Sequence, residues 1–345
     1  MRSAGPPLQG ALIGCGFVSR FHLEAWSRIP EARLTAICDQ DPEQLAAAAQ
    51  KLPGVRTYTD PVRLFEAEEA LDFVEICTRP DSHRELVELA ARHRVDILCQ
   101  KPASVVRADF KAMIEACVST GTRLMIHENW RFRPWYRAMR AEIDAGSIGR
   151  PIRLRIAHRD TRALRDDGYA DQPYLASMQR LILLEMGCHL IDTARYLIGE
   201  IQTVTATLGR FGRRNLGEDL ATLSVYFAGG CLGLLDMSWC APPDTARPEW
   251  ALNETAAEGS NGTLRLLPDG SLEWISPTGR RERKPVPLPP DDQVYLDGYV
   301  ATQRHFIEGL ISGSEHETRA TDNLRTMEVI WAAYRSAEEG KTFAV

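Results

Sequence analysis

Short apolar runs of strand length alternate with helical stretches through the first 128 residues. Ala11–Ile13 predicts a strand, Phe17–Arg28 a helix and Arg33–Cys38 a second strand. Asp41-Pro42 and Asp60-Pro61 each put a capping carboxylate before a first-turn proline, so helices are expected from Pro42 and over Val62–Glu69. Phe73–Cys77, Val95–Cys99 and Leu124–His127 predict further buried strands, with a helix over Ala108–Ser119. Ser82 followed three residues later by Glu85 predicts a capping box that opens a helix to His93. Strands alternating with helices in this way predict a doubly wound parallel sheet, an α/β fold.

The pattern changes after Pro134. A helix is expected to about Ala145, then glycines and Pro151 break the chain before a half-buried strand over Ile152–His158. A polar loop, 161–179, precedes a helix over Leu181–Leu197. Strand-like runs follow at Thr203–Gly209, Leu220–Phe227, Gly233–Trp239, Ala251–Ala257, Gly262–Leu267 and Ser271–Ile275, with no helix between them. An open, mostly antiparallel sheet is therefore expected in a C-terminal α+β domain. An extended loop is expected over Pro285–Pro290, and the last helix, about 321–338, packs back on the body. The 345 residues suffice for two domains of about 100–200 residues, here 1–128 and 129–345.

The first strand ends in Gly14-Cys15-Gly16-Phe17-Val18-Ser19. Gly-x-Gly between a strand and a helix lets the backbone turn tightly and approach a pyrophosphate, at which the helix N–H groups point. Ser19 replaces the third glycine and is small enough for close packing. Asp39 ends the second strand 25 residues after Gly14, against a usual spacing of about 20, where an acid binds the adenosine ribose hydroxyls. With Gln40 and Asp41 following, no basic clamp for a 2′-phosphate is present, so NAD(H) is expected over NADP(H).

The formal net charge of −6 gives no support to nucleic-acid binding, and the Arg-rich run Arg131–Arg137 stands alone. No stretch reaches the roughly 20 apolar residues of a membrane span. Met1–Pro7 lacks the apolar region of a signal peptide and reads as a disordered lead-in to a cytoplasmic protein. The eight cysteines include no C-x-x-C pair, so neither disulfides nor structural zinc are expected. Cys38, Cys77 and Cys99, at strand ends, act as small apolar residues.

Ligands of parallel sheets bind at the carboxyl ends of the strands. Three such ends are polar: Cys77-Thr78-Arg79-Pro80, Cys99-Gln100-Lys101-Pro102 and His127-Glu128-Asn129-Trp130-Arg131. Lys101 can bind an alcohol oxygen and stabilise alkoxide character, or be a solvated loop lysine. Glu185, His189 and Asp192, at i, i+4 and i+7, share one face of the helix expected there and interrupt its apolar stripe. A histidine so placed can accept a proton near neutral pH. A structural hydrogen-bond network is one alternative. A metal site is another, but it lacks an evident third ligand, and no metal is expected.

These motifs, with Thr78-Arg79-Pro80-Asp81-Ser82-His83, Asn129–Pro134 and Gly187-Cys188-His189-Leu190-Ile191-Asp192, together resemble the Gfo/Idh/MocA family of NAD(P)-dependent sugar and polyol oxidoreductases. The resemblance implies an N-terminal Rossmann domain and a C-terminal substrate-binding domain whose sheet builds a homodimer or homotetramer. It implies that Lys101 contacts nicotinamide ribose and the reacting oxygen, and that His189 accepts the proton with Glu185 beside it. Gly14, Gly16, Phe17, Val18 and Asp39 then hold NAD, and Thr78, Pro80 and His83 lie in the loop under it. Asn129, Trp130 and Arg131 meet nicotinamide and substrate. Gln100 stands where the family usually has Glu, beside the cofactor. Cys99–Pro102, Met125–Asn129, Gln172–Leu175 and Gly217–Asp219 are similar to the branch that includes D-apiose dehydrogenases, which adds Tyr174 as a substrate residue and implies oxidation of an aldose at its anomeric carbon to a lactone. Two rivals stand beside this: a relative that keeps NAD bound for elimination or glycoside cleavage, and a non-catalytic NAD sensor.

Overall fold

The computed structural model describes residues 6–245 and 247–345; residues 1–5, within the expected lead-in, lie outside it. The chain forms two compact units. One comprises the residues up to Glu128 with Tyr299–Leu324, the other Asn129–Gly298 with Arg325–Val345.

The first unit holds strands β1 (Leu8–Ile13), β2 (Ala32–Cys38), β3 (Arg56–Tyr58), β4 (Phe73–Ile76), β5 (Asp96–Gln100) and β6 (Leu124–His127). Between them run helices α1 (Ser19–Trp26), α2 (Pro42–Ala49), α3 (Pro61–Ala67), α4 (His83–Arg92) and α5 (Arg107–Thr120). Every neighbouring pair is parallel, in the order β3-β2-β1-β4-β5-β6. The chain winds outward one way from β1 and then restarts on its other side, so the order reverses at β1/β4, where such sheets bind ligands. Register aligns the strand ends: Ile13 pairs with both Cys38 and Ile76, and Gln100 pairs with His127. The open edge of β6 is closed by the return segment, with Ile126 N donating to Thr318 O at 2.9 Å and Thr318 Oγ1 to Ile126 O at 2.7 Å.

Two helix starts follow their sequence signals. Asp41 accepts from Glu43 N and Gln44 N, and Asp60 accepts from Val62 N, each before a first-turn proline. The capping box expected at Ser82 does not form. Its hydroxyl instead donates to Thr78 Oγ1 at 2.7 Å and Arg79 O at 2.9 Å, binding the preceding loop together.

The second unit contains α6 (Pro134–Asp144), β7 (Pro151–Arg159), α7 (Ile182–Glu185), α8 (Gly187–Ile198), β8 (Ile201–Gly209), β9 (Leu220–Phe227), β10 (Leu232–Ser238), β11 (Glu254–Gly259), β12 (Gly262–Leu266), β13 (Leu272–Ile275) and β14 (Arg281–Lys284). After α9 (Val294–Ser312) and α10 (Ala320–Glu339), the two-residue strand β15 (Phe343–Ala344) completes a nine-stranded sheet ordered β14-β13-β12-β11-β7-β10-β9-β8-β15. All pairings are antiparallel except β7 with β10. Helices α7 and α8 pack on one face, against β7, β9 and β10.

The single helix expected over Leu181–Leu197 divides at Met186. Glu185 therefore ends one helix and His189 lies on the next, so the shared continuous face anticipated for Glu185, His189 and Asp192 is interrupted. Gly187 stands where α8 begins, and a Cβ there would lie 2.8 Å from Leu183 Cδ1, so a larger residue would make that side chain shift. Glu218 supports the start of α7. Its Oε1 accepts from Leu181 N at 2.9 Å, Leu183 N at 3.2 Å and the Tyr334 hydroxyl at 2.7 Å. Burial, reinforced by Glu218, pushes the Tyr334 hydroxyl pKa well up, so the phenol stays a donor.

Removing that cap leaves two backbone donors and a phenol unsatisfied. Glu218→Ala is expected to destabilise the protein by about 3 kcal/mol, and Tyr334→Phe by about 1 kcal/mol. Denaturant melts of both variants measure this; equal and negligible losses would refute the role given to Glu218.

Candidate active site

At the carboxyl end of β1 the chain turns through Gly14 at φ +98°, and a Cβ there would lie 2.8 Å from the Cys77 carbonyl carbon. Only glycine fits that conformation and that contact. A Cβ on Gly16 would meet nothing within 4 Å, so the backbone here is open to close approach. Phe17 and Val18 complete the turn, and Val18 gives no side-chain cap to α1. The first N–H groups of α1 are thus not served by a capping side chain, which suits an anion. Asp39 is fixed by two backbone donors, Cys15 N to Oδ2 at 2.5 Å and Asp41 N to Oδ1 at 2.8 Å. A carboxylate retains further lone pairs for ribose hydroxyls. This turn and acid fit a dinucleotide. Cys15 and Cys38 beside them have thiol pKa values pushed up to about 12, by burial first and Asp39 second, and are not nucleophiles at neutral pH.

Two loops of the same unit carry the next group of expected residues. His83 is fully buried and its ring spans them, with Nε2 at 3.1 Å from Thr78 O and Nδ1 at 3.1 Å from Ala103 O. Burial holds its pKa below the ordinary histidine value. Pro80 lies in the first loop, half-buried. Gln100 is buried with its amide committed to Lys101 N and the His22 ring. Lys101 is half-buried just past β5.

The second unit gathers the remaining candidates. Arg131 is buried and paired with Asp192, Nε to Oδ2 at 2.7 Å and Nη2 to Oδ1 at 2.5 Å. This two-pronged pair anchors the turn after Asn129 to α8. Trp130 stacks on His189 with ring centroids 4.5 Å apart and planes at 6°. The Arg133 guanidinium carbon lies 4.7 Å from the Trp130 centroid, while Arg133 Nη1 donates to Trp250 O and Ala251 O. His158, 5.8 Å from Trp130 centroid to centroid, donates from Nδ1–H to Asn253 Oδ1 at 2.9 Å, and burial holds its pKa at about 4. Asn129 is buried, and Glu185 is half-buried at the end of α7. Tyr174 sits on a 3-10 turn, Pro173–Ser177, its hydroxyl accepting from Gln172 Nε2 at 3.2 Å.

Sequence reasoning passed over a buried network in the first unit. Glu75, wholly buried in mid-strand, faces His22, Trp26 and Gln303. Its signal is plain in Phe73-Val74-Glu75-Ile76, an acid inside an apolar strand. His22, Glu75 and His127 bring three possible ligand atoms within 4.8 Å of one another. Both His22 ring nitrogens are already taken, by Glu75 and Gln100, which favours hydrogen bonding over a metal there.

Known proteins match both units. Residues 8–128 match the model of an oxidoreductase family with an NAD-binding Rossmann fold, and residues 136–265 that of the GFO/IDH/MocA C-terminal domain. A D-apiose dehydrogenase of Paraburkholderia graminis is 39% identical over 340 residues, covering 97% of this chain and 88% of that one. A D-apiose dehydrogenase of Rhizobium rhizogenes is 36% identical, covering 97% and 96%. Among solved structures, an oxidoreductase from Agrobacterium radiobacter in complex with NAD+, L-tartaric acid and magnesium superposes with a TM-score of 0.90 at 35% identity, covering 98% of each chain. The glycine turn, the acid that follows it and similarity along nearly the whole chain lead to one conclusion: the protein belongs to the Gfo/Idh/MocA family of oxidoreductases and carries an NAD-binding Rossmann fold.

Proposed function

We propose that the protein oxidises a free aldose at its anomeric carbon, with D-apiose the first candidate, giving a lactone. Nearly full-length similarity to two D-apiose dehydrogenases carries this reading. Gly14, Gly16, Phe17 and Val18 would hold the pyrophosphate of NAD, and Asp39 the adenosine ribose. Thr78 and Pro80 line its loop, and Lys101, Asn129 and Trp130 serve its nicotinamide end. His83 and Gln100 act there by holding backbone and Arg131 by tying its turn to α8, because their polar atoms are committed to Thr78 and Ala103, to His22 and Lys101, and to the Asp192 carboxylate.

Bound NAD would supply the hydride acceptor for the oxidised carbon. Lys101 donates a hydrogen bond to the sugar oxygen and stabilises its growing negative charge. His189 takes the hydroxyl proton, and the Trp130 ring stacked on it fixes the plane in which its nitrogens lie. Glu185 orients the sugar or the imidazole from the end of α7, and Tyr174 offers a hydroxyl to the sugar. Eight free thiols suit a reducing compartment, the cytoplasm. Tyr226 and Leu232, cross-strand partners on β9 and β10, are 43% and 54% exposed and support assembly into a homodimer or homotetramer through the large sheet.

With NAD and D-apiose, Lys101→Ala and His189→Ala should each lower kcat by about 10²–10⁴-fold, and calorimetry should show unchanged NAD affinity in His189→Ala. Full turnover in either variant removes that residue from the chemistry. Asp39→Asn keeps the shape of the side chain and removes its charge, so the NADP-to-NAD ratio of kcat/KM should rise about tenfold or more, the scale of a relieved like-charge contact. An unchanged ratio would sink the ribose assignment. Light scattering should return a dimer or tetramer, and a monomer at assay concentration would exclude the assembly.

A further inference from the structure

Hydrogen-bond directions around Gln100 are fixed from both ends of a buried chain. The Lys101 backbone N–H can only donate, so the Gln100 atom 2.7 Å from it is the acceptor Oε1. Gln100 Nε2 then donates to His22 Nε2 at 2.6 Å, and that ring nitrogen must present its lone pair. The imidazole proton is left on Nδ1, 2.7 Å from Glu75 Oε1, an oxygen that accepts. Glu75 Oε2 takes Trp26 Nε1 at 2.5 Å, and Gln303 Nε2 reaches the two carboxylate oxygens at 3.3 and 3.2 Å. His22, Glu75 and Gln303 have no solvent exposure, and Gln100 is buried. The His127 and Tyr299 rings pack against His22, at centroid distances of 4.4 and 5.0 Å, and hold the ring in place. Reversing any one link would set donor against donor or acceptor against acceptor.

We propose that Gln100 is a positioning residue for Lys101, and that Glu75, His22 and Gln100 form a one-way relay that pins the Lys101 backbone N–H. The proposal deepens the function put forward above and rests on it, since it takes Lys101 as the group that meets the sugar oxygen. The far side of the same loop is held by His83 at Ala103 O, so the backbone that presents Lys101 is anchored by a buried imidazole on each flank. The relay also explains why an amide suits position 100. A glutamate would turn the donor facing His22 into an acceptor, and the chain would close only with one further proton among the three side chains. Gln100 and a singly protonated His22 are therefore a matched pair.

Three measurements test this. Nitrogen-15 spectra of the histidine rings, taken without cofactor, should show His22 protonated at Nδ1 and bare at Nε2. Amide hydrogen exchange at Lys101 should quicken about tenfold in Gln100→Ala, the worth of one hydrogen bond, while Leu98 in β5 keeps its protection and reports an intact fold. With NAD and D-apiose, Gln100→Ala should lose about tenfold in kcat at unchanged NAD affinity, and Lys101→Ala more. A His22 proton on Nε2, or unaltered exchange at Lys101, overturns the relay. Full turnover in Lys101→Ala overturns instead the role of Lys101 on which the proposal stands, whatever the spectra show.

Discussion

A carboxylate buried in the middle of a parallel sheet must be surrounded by donors, because an unpaired charge there would cost several kcal/mol. Glu75 imposes that requirement on the whole first unit. His22 and Trp26, four residues apart on one face of α1, both turn to it, and so does Gln303 from α9. The start of α1 is also the end of the glycine turn, so the helix after that turn is set in place by the same carboxylate that, through His22 and Gln100, fixes the loop of Lys101. Cofactor turn and lysine loop thus share one buried reference point.

The second unit solves a similar problem with a full ion pair. Asp192 is completely buried on α8 and is neutralised by Arg131, which locks the turn bearing Trp130 against that helix. Breaking such a pair by removing one partner leaves a buried charge, typically a loss of about 3–5 kcal/mol. With Arg131 and Asp192 holding both segments, Trp130 and His189 lie face to face at a fixed distance, and the imidazole has few rotamers left.

Much of the architecture was legible in the chain because its signals are local. The capped helix starts at Asp41 and Asp60, the strand-to-glycine turn and the runs of the large sheet need no tertiary information to read. What escaped depends on distant partners. Helix α9 carries buried Thr302 and Gln303 among Leu296, Tyr299, Phe306 and Ile307, so its apolar stripe is diluted by polar residues whose partners lie far away in sequence. Strand β3 and the two-residue β15 are too short for periodicity, and β14, Arg-Glu-Arg-Lys, has no apolar face at all. The helical spacing of Glu185, His189 and Asp192 was visible, but not the division at Met186 or the commitment of Asp192 to Arg131. Likewise Gln100 and His83 stand in motifs that the sequence displays, whereas their partners, His22 and two backbone carbonyls, emerge only once the strands are aligned.

The most direct test of the chemistry follows the hydrogen itself. D-Apiose deuterated at its anomeric carbon, incubated with the purified protein and NAD, should deliver deuterium to the reduced nicotinamide and yield the lactone. Retention of deuterium in the sugar, or no reduction of NAD at all, would contradict oxidation at that carbon.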